Sequence, residues 1–338
     1  MKPKVSIIIN CYNQSQFLEK AIKSVLSQTF KDIECIIIDD GSTDDTRQIA
    51  KKFIKIDKKV RYYYKKNSGL PSSRNFGLKY AKGEWVQFLD ADDWIYKDKI
   101  KLQLNSIKNI KNKDNIVVYS NYNRVFLDNN QKIIKREKSI IGKLTNKQLI
   151  QRLLTPDFMT DLPHPMLQQC MLIRKDIFSK IRFNEKLKAL GDRYLALELA
   201  INNTNFKYVP IVGTGYTKHH SNRTNKWKYM KGYYALFYNL VHNNYRKLGG
   251  LYKDKVEFII NEIIKEKDIK NFKELLPVIK FPIYIFDKKI KINNQSSLRI
   301  AYILRRIFPN YLFYKNMRGP RSRKIFDLIS RIIHQKNS

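Results

Sequence analysis

The segment that decides the fold reads Trp85-Val-Gln-Phe-Leu-Asp90-Ala-Asp92-Asp93. Residues 85–89 predict a short buried strand, and the acidic run follows at its carboxyl end. Two carboxylates at positions i and i+2 of an extended chain can turn toward one divalent cation. Mg²⁺ and Mn²⁺ prefer such hard oxygen ligands. The segment therefore predicts either a metal site or, as an open alternative, a solvated acidic turn.

The same order of strand and polar cluster occurs twice earlier in the chain. A strand at 5–9 precedes the polar residues 10–13, and a strand at 33–38 precedes the acidic segment 39–45. Helices over 17–26 and 72–81 separate further strands at 60–64, 85–89 and 116–119. Strands that alternate with helices predict an α/β fold with a mostly parallel central sheet, whose ligands bind beyond the carboxyl ends of the strands. We therefore expect the three polar clusters to lie at one edge of the sheet.

Two local features refine this prediction. Ser42 and Asp45 have the spacing of a capping box, which predicts the start of a short helix. The segment Asn67-Ser-Gly69-Leu-Pro-Ser-Ser-Arg74-Asn75-Phe-Gly77 places an arginine near the start of the next helix. There Arg74 can bridge to a phosphate or to the carboxylates. A surface loop with a helix cap is the alternative for this segment.

Taken in order, these motifs resemble those of the family-2 glycosyltransferases with the GT-A fold. The resemblance covers roughly residues 3–225 and rests on segments 5–13, 27–30, 36–42, 67–77 and 90–93. It implies a Rossmann-like nucleotide-sugar-binding domain. By this resemblance Tyr12, Asn13 and Asp40 contact the nucleoside, most often uridine, and Asp39 and Arg74 support the donor. Asp90, Asp92 and Asp93 then hold Mn²⁺ or Mg²⁺ and the sugar diphosphate.

The resemblance continues into an acceptor half. Gly191-Asp192-Arg193-Tyr194 follows the family's path to its catalytic base, with Gly191 in place of the usual Glu. Asp192 is then implied as the base of an inverting transfer. Tyr216-Thr-Lys218-His219-His220 resembles a late segment whose histidine approaches the metal, and spacing favours His219. Two departures stand out: Asn10 replaces a frequent proline, and Thr217 replaces a frequent arginine.

We therefore predict two regions. Residues 1–225 form the GT-A domain, with a donor-binding half at 1–115 and an acceptor half at 116–225. Residues 226–338 form a basic, helical C-terminal extension. The implied reaction moves a sugar from a nucleotide-sugar, typically a UDP-sugar, to a hydroxyl of a cell-surface polysaccharide or a lipid-linked glycan intermediate.

The charge balance limits the possible partners. The 338 residues include 66 Lys and Arg against 30 Asp and Glu, a formal net charge of +36, and 43% are hydrophobic. Such a chain can bury a core, which excludes a disordered tail. Folding does not require this net positive charge, so the charge indicates an anionic partner: an anionic membrane, a phosphate-bearing substrate or nucleic acid.

Carboxylates at the sheet edge would repel a nucleic-acid backbone, and we expect no nucleic-acid partner. A non-catalytic nucleic-acid- or membrane-binding protein on the same fold remains the alternative, although Asp92 and Asp192 are both intact.

The C-terminal residues carry the strongest charge bias. Residues 288–338 contain thirteen Lys or Arg and one acid, Asp327. Apolar stripes at helical spacing over 298–308 and 325–333 predict two amphipathic helices. Basic amphipathic helices lie in the headgroup region of anionic membranes. We therefore predict attachment to a membrane surface, with a solvated or oligomer-forming tail as the alternative.

The cysteines and apolar runs predict the compartment. Cys11, Cys35 and Cys170 lack metal-ligand spacing, which predicts free thiols typical of a reducing environment. The apolar run at 5–9 is too short for a signal peptide, and no stretch has the ~18 apolar residues of a membrane span. We expect a cytoplasmic protein, bound peripherally to the cytoplasmic face of the cell membrane.

Overall fold

The structure is a computed structural model that describes residues 3–111, 113–286, 289–308, 313 and 320–335. It divides into two compact units, Met1–Asn222 and Arg223–Ser338. This division lies close to the boundary after residue 225 that the sequence suggests. The predicted donor and acceptor halves both contribute strands to one sheet in the first unit.

The first unit contains nine strands and six α-helices within its described residues. In chain order they are β1 (Val5–Cys11), α1 (Ser15–Leu26), β2 (Ile33–Asp39), α2 (Thr46–Ile56), β3 (Val60–Tyr64), α3 (Leu70–Tyr80), β4 (Trp85–Asp90), β5 (Trp94–Ile95), α4 (Lys99–Asn105), β6 (Ile116–Leu127), β7 (Ile133–Ser139), α5 (Asn146–Leu154), β8 (Met171–Arg174), α6 (Gly191–Ile201) and β9 (Asn205–Lys218).

The sheet has the order β3-β2-β1-β4-β8-β6-β9-β5, with β7 paired to β6. Strands β3, β2, β1 and β4 are mutually parallel, and β6 is parallel to β9. The short strand β8 is antiparallel to both of its neighbours, β4 and β6. The prediction of an α/β fold with a mostly parallel sheet is confirmed.

Apolar side chains on both faces of the central strands explain this packing. Every residue of β1 and β2 is buried, as expected for strands covered by helices on both sides. Helix α3 lies so close to the sheet that a Cβ on Gly77 would come within 2.6 Å of Ile8 Cγ2. The chain therefore needs a glycine at this point of contact.

Two local predictions differ from the structure. Helix α2 begins at Thr46 and makes no side-chain cap, and Ser42 Oγ accepts from the backbone N–H of Asn13 instead. The strand predicted at 116–119 continues to Leu127 as β6, and it pairs with the exposed strand β7. Directly before β8, residues 168–170 form a 3-10 turn.

The second unit is helical, as predicted, but it also contains a small hairpin. Its elements are α7 (Trp227–Asn244), α8 (Gly249–Lys265), α9 (Ile269–Leu275), β10 (Ile283–Ile285), β11 (Ile290–Ile292), α10 (Gln295–Ile307) and α11 (Pro320–His334). Both predicted amphipathic helices are present, as α10 and α11. No described helix is long and apolar enough to cross a membrane. The three cysteines are buried free thiols, as predicted.

Candidate functional site

The parallel register brings the three polar clusters to one edge of the sheet. Asn10 lies opposite both Ile38 in β2 and Asp90 in β4, and Cys11 lies opposite Asp39. Strands β1, β2 and β4 therefore end at the same level. The three clusters follow directly at these carboxyl ends, where an α/β sheet binds its ligands.

Asp39 and Asp40 are held by hydrogen bonds from the surrounding loops. Asp39 accepts from the backbone N–H of Ser42 at 2.8 Å and from the hydroxyl of Tyr62 at 2.6 Å. Asp40 pairs with Lys65 Nζ at 2.6 Å and accepts from the N–H groups of Ser68 and Gly69. Both oxygens of each carboxylate are thus engaged, and the two residues fix the loops around the first two strand ends.

Tyr12 and Asn13 form the rim of the same edge. Asn13 has a φ of 50°, in the left-handed region, and its side-chain oxygen accepts from the backbone N–H of Thr43 at 2.8 Å. This bond ties the loop after β1 to the loop after β2. The ring of Tyr12 is 39% exposed, which leaves it available for stacking on a ligand.

Arg74 and Asp90 form the centre of the site. Arg74 NH2 donates to Asp90 Oδ1 at 2.9 Å, while its guanidinium lies over the ring of Phe183. The pKa of Asp90 is raised by burial and further by the nearby carboxylates of Asp92 and Asp192, although Arg74 opposes the shift. The site therefore brings several carboxylates close together, with the Arg74 guanidinium in direct contact with Asp90.

Asp92 lies beside the predicted histidine. The Nε2 atom of His219 is 3.1 Å from Asp92 Oδ2, and Nδ1 lies 2.7 Å from the hydroxyl of Ser221. Asn222 Nδ2 reaches the same Asp92 oxygen at 3.5 Å and His219 Nε2 at 3.1 Å. His219 is buried, whereas His220 is exposed. The geometry thus brings His219, and not its neighbour, to the acidic motif.

Asp93 points into the protein. Its Oδ1 accepts from the backbone N–H of Thr217 at 2.7 Å, and its Oδ2 accepts from Gln169 Nε2 at 2.6 Å. Burial and the carboxylates of Asp92 and Asp90 raise the pKa of Asp93. Each oxygen of Asp93 thus already accepts a hydrogen bond inside the protein, from Thr217 or from Gln169. Its contacts favour a role in holding the acidic motif in place.

A buried hydrogen-bond network holds Gln169, the residue that donates to Asp93. The backbone oxygen of Gln169 accepts from Gln87 Nε2 at 3.1 Å, and Gln87 Oε1 in turn accepts from Lys99 Nζ. Lys99 also donates to Gln103 Oε1 at 2.9 Å, and burial lowers the pKa of Lys99 to about 7. Sequence analysis missed these residues because no local pattern marks them.

Asp192 lies in the first turn of α6. The helix follows Leu190, whose φ of 62° turns the chain sharply, and Asp192 Oδ1 accepts from the N–H of Arg193 at 2.8 Å. Tyr216 lies among the acidic groups, since burial and then Asp93, Asp92 and Asp192 raise its pKa. Tyr216 is another residue that the sequence did not assign to the site.

The acidic groups suit a cation better than a neutral ligand. Asp92 and Asp192 both act electrostatically on Asp90, and carboxylate oxygens match the preferences of Mn²⁺ and Mg²⁺. Within the described residues, however, no three His, Cys, Asp or Glu groups already form a metal cage. A cation here would thus complete its coordination with water or substrate oxygens.

Two polar side chains at the same edge have unused hydrogen-bonding capacity. The Nδ2 and Oδ1 atoms of Asn10 and the Nε atom of Arg74 are buried without a partner among the described residues. Asn10 is only 3% exposed. A buried amide without a partner costs free energy, and such groups recur at functional sites.

A cavity of about 390 Å³ lies in the predicted acceptor half, lined in part by Gln148, Gln151, Thr155, Leu162 and Pro163. It adjoins α6, because Asp157 in its wall pairs with Arg193 at 2.5 Å, the residue that follows Asp192. The Arg193 guanidinium and the imidazole of His164 beside Asp157 help hold the pKa of that carboxyl low, at about 2, against the opposing effect of burial. A few polar groups among apolar side chains are typical of small-molecule sites.

A largely parallel sheet with polar clusters at the carboxyl ends of its strands is the arrangement of a ligand-binding α/β domain. A model of the family Glycosyl transferase family 2 matches residues 6–182. The chain belongs to this family, which confirms the predicted resemblance.

Relatives and solved structures agree with this assignment. A glycosyltransferase of Rickettsia typhi is 36% identical over 192 residues, which cover 56% of each chain. A glycosyltransferase of Rickettsia felis is 52% identical over 101 residues, 30% of this chain and 17% of the relative. The matched regions thus span between 17% and 56% of the lengths of these relatives. The structure of Staphylococcus aureus TarS 1–349 in complex with UDP-GlcNAc superimposes with a TM-score of 0.60 at 17% identity, covering 99% of this chain and 92% of the TarS 1–349 chain.

Proposed function

We propose that the protein is an inverting, metal-dependent glycosyltransferase that moves a sugar from a nucleotide-sugar donor to a hydroxyl of a glycan acceptor. The observation that carries the proposal is the group formed by Asp90 and Asp92, at and just beyond the carboxyl end of β4, with Asp192 of α6 near Asp90 and with Arg74 paired to Asp90. Membership of glycosyl transferase family 2 supports it. A UDP-sugar is the first donor to test, because TarS was crystallised with UDP-GlcNAc.

In this proposal the exposed ring of Tyr12 stacks on the nucleoside base. Asp39 and Asp40 hold the loops that surround the nucleoside, through the bonds described above. Arg74 faces the diphosphate, which gives its guanidinium a second anionic partner besides Asp90. Each predicted donor-binding residue thus has a distinct role, either in contact with the donor or in shaping its site.

The transfer step uses Asp192 as the general base. The acceptor hydroxyl oxygen attacks the anomeric carbon while Asp192 takes its proton, and the bond from that carbon to the diphosphate oxygen breaks. The nucleoside diphosphate leaves with the electron pair, and the anomeric configuration inverts. A general base at this position contributes roughly 10²–10⁴-fold to the rate.

Asp92, Asp90 and His219 are the residues that would hold Mn²⁺ or Mg²⁺. When bound, the cation supplies neutralisation of the charge that develops on the diphosphate leaving group. Asp93, which the sequence placed among the ligands, is assigned to positioning instead because both of its oxygens accept hydrogen bonds.

The acceptor enters beside α6 in this proposal. The cavity of about 390 Å³ is large enough for a sugar residue next to the one that reacts. Its amide and hydroxyl side chains can bind sugar hydroxyls, while Leu162 and Pro163 can pack against the apolar faces of the ring. A cell-surface polysaccharide or a lipid-linked glycan intermediate provides such a chain of sugars.

The test is nucleotide release from a panel of nucleotide-sugars, beginning with UDP-GlcNAc, in Mn²⁺, Mg²⁺ or EDTA. We expect one donor to release its nucleoside diphosphate with metal, no release in EDTA, and recovery when metal is restored. Full activity in EDTA would exclude the metal assignment. Release from none of the donors, with or without glycan acceptors, would favour the non-catalytic alternative.

A further inference from the structure

The helices α10 and α11 each bury only part of their apolar surface. In α10, Leu298 and Ala301 are fully buried and Tyr302 stacks on Phe272, while Ile303 and Ile307 are 54% and 67% exposed. In a helix, residues 303 and 307 are one turn apart and share a face. Helix α10 therefore has an inner face in the core and an apolar outer stripe.

Helix α11 repeats this arrangement. Ile329 and Ile333 are buried, whereas Leu328 is 59% exposed and Ile325 and Ile332 are more than one-third exposed. The helix packs against α10 and β11. The sequence prediction that one stripe, 325–333, faces lipid is thus wrong in part, because Ile329 and Ile333 belong to the core.

We use the term tail surface for the exposed apolar residues of these two adjacent helices, which are Ile303, Ile307, Ile325, Leu328 and Ile332. Exposed basic residues alternate with them, namely Arg299, Arg306, Lys324 and Arg331. The only acid on either helix is Asp327. A surface that combines exposed apolar and basic side chains with a single acid suits an anionic partner that also offers apolar contact.

We propose that the tail surface docks onto an anionic lipid leaflet. The isoleucine and leucine side chains enter the boundary between headgroups and acyl chains, while the arginines and lysine contact lipid phosphates. The charge favours a polyanionic partner over a second copy of this equally basic chain. The apolar side chains favour lipid over nucleic acid, whose backbone offers them no partner.

The packing of α10 and α11 determines how lipid binding by the tail surface must be tested. Deletion from about residue 296 onward would remove Leu298, Tyr302, Ile329 and Ile333 from the core of the second unit and expose their neighbours. A truncated protein that fails to fold would then be mistaken for one that fails to bind. Substitution of outward-facing side chains in the full chain avoids this problem.

The experiment compares the full chain with a triple variant, Ile307→Gln, Leu328→Gln and Ile332→Gln. Binding is measured by sedimentation with phosphatidylcholine vesicles that contain about one-third phosphatidylglycerol, and with pure phosphatidylcholine vesicles. We expect the wild-type protein to bind the anionic vesicles and to be released progressively as salt is added. Partial burial of an isoleucine changes partitioning about fivefold, so the triple variant should bind at least about 50-fold more weakly.

The matched control replaces exposed isoleucines of the first unit, Ile56→Gln and Ile134→Gln, which are 64% and 67% exposed. This variant should bind vesicles as the wild type does. Both variants should keep the wild-type melting temperature and donor turnover, which separates this proposal from the proposed function. Equal binding to both vesicle types, or a triple variant that binds normally, would overturn the proposal. So would a dimer that the triple substitution abolishes, or tight binding to RNA at physiological salt without vesicle binding.

Discussion

Two pairs of carboxylates lie at the same edge of the sheet and differ in how the protein treats them. Asp39 and Asp40 accept hydrogen bonds from backbone N–H groups, a tyrosine and a lysine on both oxygens. Asp90 is paired with one guanidinium, and Asp92 contacts one imidazole and, at 3.5 Å, the amide of Asn222, in a region that also contains Asp192. The first pair stabilises the loops, whereas the second concentrates charge that a ligand can neutralise. Carboxylates placed close together for ligand binding commonly lower the stability of the folded protein.

The largest expected effect is at Asp192, the proposed base beside the second pair. Asp192→Asn keeps the shape of the side chain and removes its ability to accept a proton. Transfer to an acceptor should fall by roughly 10²-fold or more, measured as kcat with a glycan acceptor. The KM for the donor should change little, because the proposed mechanism has Asp192 act on the acceptor hydroxyl.

The control for this variant is Asp114→Asn. Asp114 is an exposed carboxylate that precedes β6, at the amino end of the sheet, and its loss should leave kcat unchanged. If Asp192→Asn lost donor binding instead, Asp192 would belong to the donor site.

The second prediction contrasts Asp92 with its neighbour Asp93. Asp92→Asn should raise the Mn²⁺ concentration needed for half-maximal activity about 10–100-fold, because a ligand is lost. Asp93→Asn should instead lower the melting temperature, since its new amide group would face the amide donor of Gln169. Metal titrations and thermal unfolding of both variants measure this difference. If Asp93→Asn raised the required Mn²⁺ concentration more than Asp92→Asn does, Asp93 would be a metal ligand.

The third prediction tests whether the first pair is structural. Asp40→Asn removes a charge that pairs with Lys65, and it leaves one of the two loop N–H groups facing an amide donor. The free energy of unfolding should fall by about 1–3 kcal/mol, measured by urea denaturation. Asp92→Asn, by contrast, should leave the stability of the metal-free protein unchanged or higher. Equal losses of stability in the two variants would remove the distinction between the pairs.

The sequence predicts the donor half of the fold well because its signals are local. Buried strands of five to seven residues, each followed by a polar cluster, identify β1, β2 and β4 directly. Strand β7 was missed because its side chains are mostly exposed and basic, without the apolar alternation that indicates a strand. Such an edge strand is determined by its pairing with β6 and not by its own residues.

The support of the site could not be predicted for a different physical reason. Gln169 and Thr217 lie 76 and 124 residues away from Asp93 in the chain, and only the folded sheet brings them together. Local spacing cannot show which amide satisfies a buried carboxylate. The motif Asp90–Asp93 indicates where the chemistry is, but it does not distinguish the ligands from the residue that positions them.

The smallest expected effect concerns Asn10, which lies between the two carboxylate pairs and resembles the second in having unmet hydrogen-bonding capacity. Asn10→Leu keeps a similar volume and removes two buried polar atoms that have no partner. The free energy of unfolding of the donor-free protein should rise by about 1 kcal/mol. If the amide binds the donor, the KM for the nucleotide-sugar should rise in the same variant.

Ser297→Ala is the control for Asn10→Leu. The Ser297 hydroxyl is also buried without a partner among the described residues, but it lies in the second unit. The control should give a small gain in stability with no change in KM. A more stable Asn10→Leu protein with unchanged KM would show that the amide does not contact the donor, and a less stable one would show that the folded protein satisfies it.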